Sequence, residues 1–176
     1  MTISIKPTAS GSTIEQDGST ILTVDGSGNI TPSNDLYPKV PAFSARALNS
    51  QTFTAGVWTK LVFDVEEFDT NSNYDNVTNY RYTPTIAGYY QVNLGFKIES
   101  VSSRGILALY KNGGLYKLGD DVQGTYTRNL TGSFLVYCNG STDYIEAYGY
   151  DGGGGASNVS SAISHQTHFQ AHLVSV

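Results

Sequence analysis

Apolar and polar residues alternate along most of this chain with the two-residue period of a β-strand. The clearest example is residues 89–98, where one face carries Tyr90, Val92, Leu94, Phe96 and Ile98. Further strands are predicted at residues 42–48, 58–63, 80–84, 106–110, 115–118, 126–138, 144–150 and 168–176. Helical spacing with credible caps is almost absent. Eight or more short strands, with turns about every 8–12 residues, predict an all-β sandwich or barrel.

Residues 1–38 have a different composition, rich in Thr, Ser and Gly with no aromatic residue before Tyr37. Two short extended pieces, 21–24 and 30–31, flank a glycine-rich turn. So few apolar groups cannot bury a core. We therefore expect this segment to be disordered, to pack on another surface, or to intertwine with copies of itself. The domain boundary is predicted between residues 38 and 39, so that residues 39–176 form the main domain.

The alternation separates a predicted core from a predicted outward face. The core is expected to contain Phe43, Phe63, Tyr90, Val92, Leu94, Phe96, Phe134, Val136, Cys138, Phe169 and Leu173. The opposite faces of strands 89–98 and 168–176 carry few charges. Their residues are Tyr89, Gln91, Asn93, His168, Gln170, His172 and Val174. A weakly charged face with tyrosine, histidine and valine suits a subunit interface better than open water.

Composition narrows the function classes. Charged residues make up 14% of the chain, against about 25% in an ordinary soluble domain. The net charge of −5 and the lack of a basic cluster argue against nucleic acid as a partner. No apolar run approaches the ~18 residues of a membrane span, and the first residues do not resemble a signal peptide. We therefore expect no membrane insertion. We also expect the chain to be synthesised in a reducing cytoplasm.

Candidate metal ligands are few. His168 and His172 share a strand face but lie about 13 Å apart along it, so one subunit cannot place both on one ion. Copies of one histidine could still meet at a symmetry axis. Asp120 and Asp121 are weak candidates for calcium, whose ligands are oxygen atoms. No other cofactor is expected.

Candidate catalytic groups are equally sparse. Asp64 and Glu66 could supply the two carboxylates of glycoside hydrolysis, although a solvated strand end is the simpler interpretation. No Gly-x-Ser-x-Gly elbow occurs, and the glycines at 152–155 are not followed by a phosphate-binding Lys-Ser/Thr. Cys138 lies on the same strand face as Phe134 and Val136, which favours a buried thiol. The sequence therefore predicts a protein that is not an enzyme.

Several segments, taken in order, are similar to the complement C1q-like domain of the tumour necrosis factor superfamily. They are residues 41–45 (PAFSA), 61–63 with 73–75 (LVF and NYD), 87–92 (AGYYQV), 109–113 (LYKNG), 132–136 (GSFLV) and 169–173 (FQAHL). Departures are the extra residues at 139–143, Ala171 where glycine is common, and no collagen-like period in residues 1–40. Residues 23–31 instead resemble bacteriophage tail-fibre, head-fibre and decoration proteins.

The resemblance implies a jelly-roll sandwich that forms a homotrimer by packing one sheet of each copy around a threefold axis. It also implies a virion protein whose residues 1–38 contact other virion proteins and whose main domain is exposed. Its ligand would be the capsid or a host surface glycan or protein. Exposed tyrosines and the loops 69–79 and 151–167 are the expected contact points. A non-viral C1q-like carbohydrate- or protein-binding module and a capsular polysaccharide depolymerase are the alternatives.

Overall fold

The computed structural model describes residues 3–32, 40–101, 103–124, 126–153, 157–159 and 164–176. Within these ranges the chain is all-β, with no α-helix and one 3-10 turn at Ser164–Gln166. Among the same residues, no helix has the length and apolar character needed to span a membrane. The chain divides into two compact units, Met1–Lys39 and Val40–Val176.

The N-terminal unit is an antiparallel sheet of four strands in sequence order. These are β1 (Ile3–Thr8), β2 (Gly11–Gln16), β3 (Ser19–Asp25) and β4 (Ile30–Pro32). Asp17 and Gly18 both have positive φ, as a two-residue hairpin turn requires. The sequence indicated only the extended pieces in β3 and β4, because β1 and β2 carry few apolar residues. None of residues 4–31 is buried, so this sheet encloses no core.

The second unit is a sandwich of two sheets. Its strands are β5 (Ala42–Arg46), β6 (Gln51–Phe53), β7 (Thr59–Lys60), β8 (Val65–Asp69), β9 (Tyr74–Asp75), β10 (Arg81–Tyr82), β11 (Ala87–Val101), β12 (Arg104–Lys111), β13 (Gly114–Gln123), β14 (Tyr126–Asn139), β15 (Ile145–Asp151), β16 (Ser157–Val159) and β17 (His168–Ser175). In the first sheet β11 pairs with β14 on one side and β17 on the other, and β17 continues to β5 and β8. The second sheet runs β13-β12-β15-β10-β9, with β7 also beside β15.

The core lies between the sheets and is aromatic. Phe43 stacks on Tyr74 and Tyr82, with ring centroids 4.7 and 4.4 Å apart, and meets the edge of Phe169 at 4.9 Å. Of the residues expected inside, all are buried except Leu173, which is partly buried against the core: Phe43, Phe63, Tyr90, Val92, Leu94, Phe96, Phe134, Val136, Cys138 and Phe169. Burial raises the pKa of the Cys138 thiol to about 11, which keeps it protonated and unreactive.

Two predicted segments are wrong in detail. The strand expected over 58–63 is limited to Thr59–Lys60, although Leu61 and Phe63 are buried beyond it. The acidic run, interpreted as a solvated strand end, contains strand β8, which pairs with β5 at the sheet edge. The acidic strand β8 is possible because only one side of an edge strand joins the ladder.

Loop 69–79, an expected ligand contact, is held by two carboxylates. Asp69 accepts hydrogen bonds from the backbone amides of Asn71, Asn73 and Tyr74. Asp75 accepts those of Thr78 and Val77, and these bonds lower its pKa to about 2. The loop is therefore braced by local hydrogen bonds.

A candidate subunit interface on the first sheet

The two faces that the sequence assigned to an interface form one continuous surface. The pairing of β11 with β17 places Gln91 opposite His172, Asn93 opposite Gln170 and Gly95 opposite His168. Directly opposite residues of antiparallel strands point to the same face. This face turns away from the core, because Val92, Leu94 and Phe169 occupy the other parity and are buried.

The centre of this surface is a band of neutral polar side chains joined by hydrogen bonds. Gln91 Nε2 donates to Ser133 Oγ at 2.8 Å, and Ser133 Oγ donates to Asn93 Oδ1 at 3.0 Å. Further along the sheet, Gln170 Nε2 donates to Ser44 Oγ at 3.1 Å. Residues 89, 91 and 93 of β11 and the residues aligned with them on β14, β17 and β5 include no Asp, Glu, Lys or Arg.

One end of the surface is apolar and exposed. Tyr89, Leu135 and Tyr137 are 50%, 47% and 45% exposed, and the two tyrosine rings meet edge-on at 5.4 Å. The sequence-based set omitted Leu135 and Tyr137. The signal was available, because assigning Phe134, Val136 and Cys138 to the core places the residues between them outside.

Val174 lies beside this apolar end but out of register. The ladder between β11 and β17 shifts there, so that Ser175, and not Val174, is opposite Tyr89. Val174 is therefore the extra residue of a bulge, although its side chain is exposed. Its assignment to an interface stays a prediction, as does that of the other residues of this face.

An open depression of about 620 Å³ lies beside the polar band. Its walls include Asn93, Asp120, Thr131, Ser133, His168 and Gln170. Asp120 Oδ2 accepts hydrogen bonds from Thr131 N and Oγ1 at 2.8 and 3.1 Å. Asp121 is instead paired with Arg104 at 2.5 Å. The two weak calcium candidates thus have different partners and, as neighbours on a strand, point to opposite faces.

The other candidate chemistry does not converge either. Among the described residues, no group of three or more His, Cys, Asp or Glu side chains is placed to hold a metal ion. Asp64 Oδ1 accepts the amide of Leu48 at 2.7 Å, so this carboxylate has a structural partner. The loop at 151–167 is only partly described: residues 154–156 and 160–163 lie outside the described ranges.

His168 occupies the middle of the surface and lies flat across Gly95. A methyl group on Gly95 would be 2.2 Å from His168 Cε1, so a larger residue at position 95 would force the ring to shift. Burial lowers the pKa of His168, and the nearby Glu67 carboxylate partly opposes this. His168 and Glu67 line a small hollow, together with His165, Thr167 and Gln170.

This histidine predicts a specific pH dependence of stability. Because its pKa is lower in the folded state than the ordinary value near 6.5, the unfolded chain binds more protons in the interval between the two. The stability that the neutral His168 ring contributes is therefore fully present above about pH 6.5. It is lost as the pH drops through this interval. We expect His168→Gln to flatten the decline in melting temperature between pH 7 and pH 5.

His165→Gln is the matched control, because His165 lies in the same hollow but is exposed. Equal profiles for the wild type and His168→Gln, measured by thermal unfolding at one protein concentration, would show that His168 does not titrate differently on folding.

Comparison with known proteins supports the fold. No family model matches the sequence, and no curated protein matches it. Solved structures do match. The globular domain of zebrafish complement 1qA is 16% identical, with a TM-score of 0.56, over 77% of this chain and 97% of that one. Murine APRIL at pH 8.5 is 8% identical, with a TM-score of 0.58, over 77% and 99%.

A third solved structure comes from a virus. The PRD1 vertex protein P5 is 13% identical, with a TM-score of 0.50, over 76% of this chain and 96% of that chain. The neighbours share the jelly roll of C1q and tumour necrosis factor domains. The predicted all-β jelly-roll fold, with sheets that do not close into a barrel, is thereby confirmed.

Proposed function

We propose that this chain is a non-enzymatic homotrimeric binding module exposed on a phage particle, as a fibre or decoration protein. The observation that carries the proposal is the weakly charged outward face of β14, β11, β17 and β5. It combines a neutral polar band with the exposed apolar group of Tyr89, Leu135 and Tyr137. Apolar and aromatic surface of this kind gains free energy when a further copy covers it.

A trimer is favoured over other assemblies because the fold is that of domains resembling C1q and tumour necrosis factor. The resemblance implies that one sheet of each copy packs around a threefold axis, and we propose that the first sheet is the one that does so. Three copies of one weak ligand site then act together, which raises the apparent affinity without any new type of contact.

Residues 1–38 supply the proposed attachment to the particle. The sheet β1–β4 has no buried residue among positions 4–31, and Ile5 and Ile30 are mostly exposed. A sheet with two uncovered faces is marginal by itself, so it gains most from docking on another protein. Antibody against residues 40–176, located on intact particles by electron microscopy, tests the virion role; absence from the particle contradicts it.

Light scattering tests the assembly. The wild type is expected to have three times the chain mass of 18.9 kDa at micromolar concentration. Leu135→Lys should convert it to a monomer, because burying an unpaired ammonium costs several kcal/mol, about 100-fold or more in association.

Val77→Lys is the control, because Val77 is 73% exposed and lies between β9 and β10, which belong to the second sheet. It should leave the mass unchanged. A wild type that is a monomer, or a Leu135→Lys variant that remains a trimer, contradicts the proposed interface.

A further inference from the structure

The outward face of the second sheet carries a continuous array of aromatic rings, here called the aromatic platform: Trp58, Tyr110, Tyr148 and Tyr150. Tyr110 and Tyr148 stack with centroids 3.9 Å apart and planes at 21°. Trp58 lies 5.9 Å from Tyr110 and 5.2 Å from Tyr150. All of these rings are partly exposed.

The strand ladder brings these residues together from three parts of the chain. On β15, Glu146, Tyr148 and Tyr150 alternate with the buried Ile145, Ala147 and Gly149. Tyr148 is opposite Ala108 of β12 on one side and Lys60 of β7 on the other. Trp58 directly precedes β7 and so reaches the same face. Ala108 shares this outward parity yet is fully buried, which shows that larger neighbouring side chains cover it.

Core packing does not require these rings. The core faces of β12 and β15 are already filled by Leu107, Leu109 and Ala147. Cross-strand pairs of other residues would stabilise the sheet by a similar amount, about 0.2–1 kcal/mol each. Several contiguous aromatic rings on the outside of a sandwich therefore point to a ligand.

Charged side chains beside the platform form ion pairs of opposite sign. Lys60 forms an ion pair with the buried carboxylate of Glu146 beside Tyr148 and Tyr110. At the other end, Asp121 is opposite Ile106, which is itself opposite Tyr150, and it pairs with Arg104. The platform thus offers hydrogen-bonding groups without a net charge from these pairs.

We propose that the aromatic platform binds a neutral polysaccharide, with successive pyranose rings lying on Trp58, Tyr150 and the Tyr110–Tyr148 pair. The C–H face of a pyranose ring is apolar and packs on an aromatic ring, while its rim hydroxyls hydrogen-bond to side chains at the platform edge. Spacings of 5.2 and 5.9 Å between neighbouring rings are comparable to the repeat of a sugar chain.

The surroundings discriminate among ligands. An acidic glycan or a nucleic acid would need unpaired cations, whereas Lys60 and Arg104 already have carboxylate partners. Burial and the neighbouring phenol raise the pKa of Tyr110, so its hydroxyl stays a hydrogen-bond donor. The platform is an open surface on which the Trp58 plane is inclined by 59° to Tyr110 and by 45° to Tyr150. An open surface of this kind suits an extended polymer better than a small molecule.

This inference rests on the proposed function for its biological setting only, because glycan binding can be measured independently of assembly. Trp58 is the only tryptophan of the chain, so its fluorescence reports directly on the platform. Dextran, yeast mannan and a soluble galactan are the probes. Their binding is measured by affinity electrophoresis and by the fluorescence emission of Trp58. At least one is expected to retard the protein and to shift the emission to shorter wavelength.

The variants test the stacking. Trp58→Ala and, as a second variant, Tyr150→Ala should each weaken binding about 10-fold or more, as loss of one stacking ring does in other polymer sites. Trp58→Phe should retain most of the affinity, and Phe68→Ala, which removes an exposed ring from the first sheet, should retain all of it. Far-ultraviolet circular dichroism confirms that each variant is folded.

Light scattering on the same samples separates the two proposals. A trimer that binds none of the neutral polysaccharides overturns the platform alone, and a monomer that binds one overturns the trimer alone. Wild-type affinity in both alanine variants, or binding to heparin and DNA only, also overturns the platform. New reducing ends after incubation would show a depolymerase and contradict the non-enzymatic role.

Discussion

Replacing Phe43 with alanine is expected to lower the free energy of unfolding by about 3–5 kcal/mol. The ring is 1% exposed and touches Tyr74, Tyr82 and Phe169 within 4.9 Å between centroids. Alanine would leave a cavity that stacked rings on two strands cannot easily fill, and it would remove the aromatic pair energies as well. Equilibrium denaturation in urea measures the loss.

Phe68→Ala is the matched control for Phe43→Ala, because it removes the same side chain from a position that is 51% exposed. It should change stability by about 0.5 kcal/mol or less. Protein concentration must be equal in all samples, since association of copies adds to apparent stability. If Phe43→Ala lowers the free energy of unfolding no more than Phe68→Ala does, the main core does not lie around Phe43.

Replacing Lys60 with methionine is expected to cost about 2–3 kcal/mol, a value reduced from that of fully buried pairs because Lys60 is partly exposed. Its ammonium group contacts Glu146, whose side chain is only 4% exposed, and donates to the carbonyl of Asn79 at 3.2 Å. Without Lys60 the carboxylate would remain buried and lose its cation. That desolvation cost, more than the lost attraction, dominates the effect.

The double variant Lys60→Met with Glu146→Gln tests this cause. Removing the charge together with its partner should restore at least half of the stability lost in Lys60→Met, because no unpaired ion remains. If the double variant is as unstable as the single one, packing of the lysine stem is the larger effect. Denaturant midpoints of the four proteins in the cycle give the answer.

The two sheets of the sandwich support different parts of the proposed function. The first presents a neutral, partly apolar surface around Gln91, Asn93 and Leu135, which suits contact with identical copies. The second presents the aromatic platform around Trp58, which suits an extended ligand. In a trimer the platforms would act together, so modest affinity at each becomes strong attachment.

Much of the fold was accessible from the sequence because its strands are strongly patterned. The alternation in residues 89–98 predicted which side chains enter the core. Asn112 and Gly113 lie between the strands predicted at 106–110 and 115–118, and in the structure they form the turn between β12 and β13. Both turn residues have positive φ in the structure, as this type of turn requires. The resemblance to C1q-like domains then indicated the jelly roll.

The short strands and the edge strands were harder to recognise. Strand β8 is acidic, and β6, β7 and β16 have only two or three residues each. Such strands are defined by the neighbour with which they pair and carry almost no periodicity of their own. Neither β1 nor β2 was recognised for a related reason, because no core selects an apolar face in the N-terminal sheet.

The candidate sites, too, could be predicted from the sequence only in part. Local alternation by itself determined the outward parity of Tyr89, Gln91, His168 and Gln170, because a strand's two faces follow from its own backbone. The same alternation places Leu135 and Tyr137 on the outward face of their own strand. Only the tertiary structure decided that these two lie beside Gln91 and Tyr89. It also decided that Val174 falls in a bulge and that Trp58 meets Tyr110 and Tyr150. Those relations depend on strand pairing between distant segments, which the register of hydrogen bonds sets and a local pattern does not contain.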